Sequence, residues 1–176
     1  MSGHSKWAKI KRQKGTTDIA RGALFSKLAR RITVESKKAR GDVNAAGLRL
    51  AIEKAKQANM PKENIERAAA KGVSTDAGSM ESVVYEAYGP GGAAIIIVAL
   101  TDNRNRTSAE IKHLLLKSSV SLAAPGSALW MFEKASEGFV PKTTAPLSES
   151  DDKKLMIILE EIDAHDDVEE VYTNAA

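Results

Sequence analysis

Asp102, Ser108 and His113 bring the residue types of a hydrolytic triad within a dozen positions. Their spacing works against that chemistry. Ser108 and His113 are five apart, so on one helix they point in different directions, and no G-x-S-x-G elbow presents a serine nucleophile. The carboxylate pairs Glu160/Glu161 and Asp166/Asp167 have no apolar surround to raise one pKa for acid catalysis, and they read as a solvated acidic face. His4, His113 and His165 never fall at helical ligand spacing, and with no Cys there is neither a thiolate zinc site nor a disulfide framework. Gly89-Pro90-Gly91-Gly92 carries no Lys and is followed by a strand pattern, so it reads as a turn and not a phosphate loop. No catalytic residue, metal or cofactor is expected, and the chain reads as a non-enzyme.

The stronger chemical signal is cationic. Residues 1–17 hold Lys6, Lys9, Lys11, Arg12 and Lys14, no acid, and one large aromatic, Trp7. With little helix-period apolar pattern they read as an extended arm, suited to a single strand or folded RNA. Phosphates would take the charge, while Trp7 either stacks on a base or packs beneath a helix bundle. The segment Ile19 to Arg40 follows with Leu24, Phe25, Leu28 and Ile32 at helical spacing, spanning about 100° of a wheel. Lys27, Arg30, Arg31, Lys37 and Lys38 occupy about 120° beside them. That helix is expected to bury one side and show a cationic one, with Arg21 and Glu35, inside the apolar arc, snorkelling or pairing. Arg104 and Arg106, in a loop ahead of a Thr107/Glu110 capping box, are a secondary anion contact at best, because the box already takes the free helix N–H groups.

Two modules must position these groups. A second helix is expected from Ala45 to Ala58 with Leu48, Ala51, Ile52 and Ala55 on one face. Asn59-Met60-Pro61 breaks it, and Pro61 suits the first turn of a third helix ending at Gly72. The Ser/Gly/Asp-rich stretch 73–80 marks a linker. Beyond it the period changes to two, with a half-buried strand at Val83 to Tyr88 and a strand apolar on both parities at Ala93 to Thr101. A helix to about Ser118 follows, then a strand at Ala128 to Glu133 with Trp130 and Phe132 on one parity, and an edge segment at Gly138 to Pro146. A helix opened by Ser148 and Asp151 and a last short strand at Val168 to Tyr172 complete the pattern. The expected class is α+β: a basic arm plus three-helix domain over 1–72, then a mixed α/β sheet domain over 81–176.

Charge divides the same way. Of the 176 residues, 1–72 hold 18 Lys+Arg against 6 Asp+Glu, a net +12, whereas 73–176 hold 8 against 17, a net −9. A chain polarised like this presents a basic module to an anionic partner, of which a nucleic-acid backbone is the commonest. The longest strongly apolar run, Ala93 to Leu100, is far below the roughly 20 residues of a membrane span. No apolar signal region follows the N-terminus, and the expected setting is soluble and cytoplasmic, with no membrane partner.

Particular motifs then carry a resemblance. Gly3-His4-Ser5-Lys6-Trp7, Leu48-Arg49-Leu50-Ala51-Ile52-Glu53-Lys54-Ala55, Asn59-Met60-Pro61-Lys62, Tyr88-Gly89-Pro90-Gly91-Gly92 and Leu100-Thr101-Asp102-Asn103-Arg104-Asn105-Arg106-Thr107 resemble the YebC family. That family includes the mitochondrial translational activator of cytochrome c oxidase. The resemblance implies an N-terminal helical domain, an α/β second domain and a nucleic-acid role. The family carries two descriptions of it: a DNA-binding transcriptional regulator, and a ribosome-associated factor that helps translation through difficult stretches. It also implies a third, ferredoxin-like domain inserted after the segment matching Trp130 to Lys134. Here the chain passes almost directly to Val140-Pro141-Lys142-Thr143-Thr144, so that insert is expected to be missing near 137–138. The leading reading is an RNA- or ribosome-associated translation factor; the alternative is a DNA-binding regulator, for which the sequence shows no tight helix-turn-helix, finger or basic zipper.

Overall fold

The computed structural model describes residues 7, 18–75, 80–136 and 138–176. These divide into two compact units: residues 18–75 with 80–81 and 100–102, and residues 82–99 and 103–176 with Trp7.

In the first unit the helix period produces three helices, α1 (Asp18–Lys38), α2 (Ala46–Gln57) and α3 (Lys62–Val73). Ile32, Leu48, Ala51, Ala55, Met60, Ile65 and Ala68 form the core, with Phe25 and Leu28 packed against it. The apolar arc expected on α1 is shorter than its sequence suggests, because Leu24 is 39% exposed. α2 and α3 are only 12 residues each against the 21 of α1, and among the described residues the core of this unit meets α1 from Phe25 onward. Gly41, at φ +84°, ends α1 by donating its N–H to the Ser36 carbonyl. Pro61 sits one position earlier than expected, as the N-cap of α3, where its carbonyl accepts from Asn64 and Ile65.

Small residues bring α1 and α3 close. Thr33 Oγ1 donates to the Ala68 carbonyl at 3.1 Å and Ser36 Oγ to that of Ala69 at 2.7 Å. A Cβ added at Gly72 would lie 2.5 Å from the Thr33 carbonyl oxygen and 2.6 Å from Ser36 Cβ. In an open helix Gly→Ala stabilises by about 1 kcal/mol. Here Gly72→Ala reverses that sign: thermal or urea melts of the helical unit should show a loss of roughly 1–3 kcal/mol, since the clash is with backbone.

The second unit is a three-stranded sheet of order β1-β2-β5, built from β1 (Glu81–Tyr88), β2 (Ala94–Thr101) and β5 (Val168–Thr173). β5 runs antiparallel to β2, with Ile95 opposite Thr173 and Ile97 opposite Val171. As its unbroken apolar run implies, β2 is central and covered on both faces. Ile95, Ile97 and Ala99 join a core with Ile111 and Leu115 of α4 (Arg104–Lys117) and Leu155, Ile158, Leu159 and Ile162 of α5 (Glu149–Asp163). Ala94 and Ile96 face Ala128 and Phe132 in a second cluster. Gly89 to Gly92 form the expected turn, and Ser148 caps α5, accepting from Asp151 N at 3.1 Å.

Three local expectations fail. α4 starts at Arg104, not Thr107: Asn103 is its N-cap, accepting from Arg106 N, so Thr107 and Glu110 form no capping box. The strand expected over Ala128 to Glu133 is a 3₁₀ turn, Leu129–Met131, leading into β3 (Phe132–Ala135), which leaves Trp130 59% exposed. β3 pairs antiparallel with the edge strand β4 (Gly138–Pro141), with Ala135 opposite Gly138, so a hairpin closes the point at which the insert was expected to be missing. Third, residues 1–72 do not form one module throughout: Trp7 lies in the core of the second unit.

Candidate nucleic-acid interface

In the helical unit, residues 18–75 carry 13 Lys+Arg against 6 Asp+Glu. On α1, Lys27, Arg30 and Arg31 are half-buried along their stems, and Lys37 and Lys38 are exposed in the last turn, where cations also complement the helix dipole. These five come from one helix and share one side of it. They are not equivalent. Glu35 is 8% exposed, and its Oε1 lies 3.4 Å from Arg31 and 3.1 Å from Lys38. Its carboxylate also sits against Gly47, at the start of α2, whose N-cap Ala45 offers no side-chain acceptor. Arg31 and Lys38 therefore balance a buried charge, as the position of Glu35 inside the apolar arc implied.

The set extends onto α3. Gly72 packs against Thr33, Ser36 and the backbone N of Lys37, and its chain neighbour Lys71, exposed in the last turn of α3, adds a cation there. The small-residue face Ala68/Ala69/Gly72 allows the close approach of α3 to α1.

Lys6, Lys9, Lys11, Arg12 and Lys14 lie outside the described residues. Trp7 is 4% exposed in the cluster with Ala87, Ile95 and Leu155, so its ring is enclosed and has no face for a base. Arg104 is exposed in the first turn of α4. Arg106 is committed: its Nη2 lies 2.9 Å from Asp167 Oδ2, which also accepts from Thr107 Oγ1 at 2.7 Å. His165 Nδ1 accepts the Asp167 N–H at 3.1 Å, and its Nε2 meets Glu110 at 2.9 Å. Glu110, His165 and Asp167 thus converge from distant positions, which spacing could not reveal, and their ligand atoms lie within 4.8 Å of one another. A cation there would have to displace the Arg106 guanidinium. The knot ties the start of α4 to the turn between α5 and β5.

Sequence reasoning missed one residue entirely. Glu86, on the outward parity of β1, is 5% exposed and accepts from the backbone N–H groups of Gly126, Ala128 and Leu129, the last two at 2.8 Å. Burial by itself would raise its pKa, but the three N–H donors outweigh that and hold the carboxyl below its ordinary value. Two steps along the same face, Tyr88 OH donates to the Ser127 carbonyl, which also accepts from Trp130 Nε1 at 2.8 Å.

Comparison with known proteins bears on this arrangement. The family profile described as the TACO1/YebC protein N-terminal domain matches residues 5–75, and that of the TACO1/YebC second and third domain matches 80–137. The chain belongs to the TACO1/YebC family. A relative from Chlorobaculum parvum is 48% identical over 98% of this chain and 69% of its own length. Another, from Chloroherpeton thalassium, is 46% identical over 91% and 63%. Each is named "Probable transcriptional regulatory protein". The chain thus spans about two thirds of these relatives. The crystal structure of a conserved hypothetical protein, Aq1575 from Aquifex aeolicus, superposes with a TM-score of 0.86 at 31% identity, covering 98% of this chain and 97% of that one. None of the helices of the described residues is long and apolar enough to cross a membrane.

Proposed function

We propose that this TACO1/YebC chain is a non-catalytic, nucleic-acid-binding regulator of gene expression, in a form lacking the family's inserted domain, and that it docks on RNA of the ribosome through its helical unit. The observation that carries the reading is the cationic side of α1, in a helical segment, residues 18–75, with 13 basic against 6 acidic residues. Lys27, Arg30, Arg31, Lys37 and Lys38, with the arm residues Lys6, Lys9, Lys11, Arg12 and Lys14, supply the phosphate contacts. Arg31 and Lys38 contribute from their pairing with Glu35, and Arg104 contributes separately. The direct pairing of β3 with β4 and the end of the second matched stretch at residue 137 support the shortened form.

A DNA-binding reading draws on the names of the relatives and on one structural detail. α2 and α3 are joined by four residues, 58–61, the connection length of a helix-turn-helix. The first two turns of α3, which would have to meet base edges, expose Glu63 and Glu66, and Lys62 lies 3.5 Å from Glu66. That face is poorly suited to reading a major groove.

Sedimentation of lysate through sucrose tests the choice. The protein should co-migrate with ribosomes at moderate salt and move to the top of the gradient after RNase. A free pool alone, together with sequence-specific duplex binding, would overturn the RNA reading in favour of the DNA one.

A further inference from the structure

Ile157 is 58% exposed at the middle of α5, whose opposite side is committed: Leu155, Ile158, Leu159 and Ile162 are buried in the core of the sheet unit. A single exposed Ile is ordinary on a protein surface, and what distinguishes this one is the order of charges around it. Lys153 and Lys154 stand four and three residues before it, Glu160 and Glu161 three and four residues after it, and all four are exposed. At 100° per residue they lie within about 60° of Ile157, with Lys153 and Glu160 on one flank and Lys154 and Glu161 on the other. Ser150 and Ala164, small and exposed, end this outward stripe seven residues to either side.

This placement of charge costs the isolated helix. The last turn of α5 holds Glu160, Glu161 and Asp163 and no base, which is the wrong sign for the negative end of a helix dipole. Pairing along the helix cannot offset it, because Lys153 and Glu160, like Lys154 and Glu161, are seven residues and about 10 Å apart. Lys153 instead reaches back to Glu149 at 2.6 Å, with both side chains largely exposed. Such a pair is worth little in water and is readily exchanged for another.

We propose that the outward face of α5 is a self-association surface, on which two copies of the chain pair antiparallel about a two-fold axis at Ile157. Such an axis sets each residue against the one equally far on the other side of Ile157 in the partner, to within a residue. The pairs that are two turns apart within one helix then meet between copies: Lys153 of one protomer stands by Glu160 of its partner and Lys154 by Glu161, each twice. The two Ile157 side chains meet on the axis, and Ser150 opposite Ala164 lets the helix ends approach. One helix per copy is a small contact, under about 1,200 Å², so the dimer is weak, with a Kd between about 10 µM and 1 mM. α5 carries none of the residues assigned to phosphate contact, and the pairing does not depend on the nucleic-acid reading.

Sedimentation equilibrium of the full chain at low salt, from about 10 µM to 1 mM, should show the mass rising from one chain towards two. Lys153→Glu/Lys154→Glu leaves only acids at the four flanking positions, and Glu160→Lys/Glu161→Lys only bases; each variant alone should associate at least about ten-fold more weakly. An equimolar mixture of the two should restore association, because every flank then meets its opposite charge, a rescue that damage to the fold could not produce. Circular dichroism melts of both should match the parent, since the four positions are exposed. Ile157→Cys, in a chain with no other cysteine, should link two copies on mild oxidation. A parent that keeps the mass of one chain at every concentration overturns the pairing. So does a dimer that both charge variants retain, or one that their mixture fails to restore.

Discussion

Between 50 and 200 mM salt, the affinity of the chain for RNA should fall by roughly 10³, the loss expected when about six phosphates are neutralised and their counterions released. Lys27, Arg30 and Lys37 on α1 and the arm lysines supply more than enough cations for that number. Reversing charge at Arg30 and Lys37 together should remove about two contacts and shallow the logarithmic salt slope by about 1.5–2 units. The pair is preferred to Arg30 with Arg31, because Arg31→Glu would face the buried Glu35 with a second carboxylate and confuse unfolding with lost binding. The variant should melt like the parent. A flat salt response in the parent would sink the electrostatic docking, and an unchanged slope in a folded Arg30→Glu/Lys37→Glu variant would show that another face meets the phosphates.

Much of this architecture is legible in residue patterns, and the failures share one cause. The run Ala94–Thr101, apolar on both parities, announces a central strand because each parity has its own layer to bury against. Ser148 with Asp151 announces a helix start because the cap is a contact between near neighbours. Thr107 looked like the same device. Its hydroxyl instead bonds Asp167, sixty residues away, and Asn103, an equally good cap four residues earlier, takes the role. The segment Ala128 to Glu133 has strand-like alternation, but the Ala128 and Leu129 N–H groups that a ladder would use are taken by Glu86, forty-odd residues upstream, so the chain turns. Glu86 itself occupies a position that alternation assigns to solvent, and no local pattern distinguishes a buried acceptor from a wet one. At the interface, the cationic side of α1 was visible on a wheel. The balancing of Arg31 and Lys38 by Glu35 followed from an acid within an apolar arc, whereas the contact of Glu35 with Gly47 depends on how two helices meet.

The second large effect concerns that clamp. Glu86→Ala should destabilise the sheet unit by about 3 kcal/mol, because it strands backbone N–H groups whose partner was a charge, a loss larger than that of an ordinary neutral hydrogen bond. Glu86→Gln keeps the shape and one acceptor oxygen, so it should cost less. The pH dependence separates charge from packing. The folded-state pKa of Glu86 lies below the ordinary 4.5, so its contribution is fully present above that value and is lost as pH falls through the folded pKa. Urea melts of parent and Glu86→Gln should therefore differ most at neutral pH and converge as the medium is acidified below about 4.5. Trp130 supplies a local reporter, since its turn is the one Glu86 holds. Its fluorescence anisotropy should drop in Glu86→Ala before global unfolding, and acid should produce the same drop in the parent. A constant stability gap across the acid range would show that the carboxylate acts by filling space, and the rigidity of the Trp130 turn would then need another source.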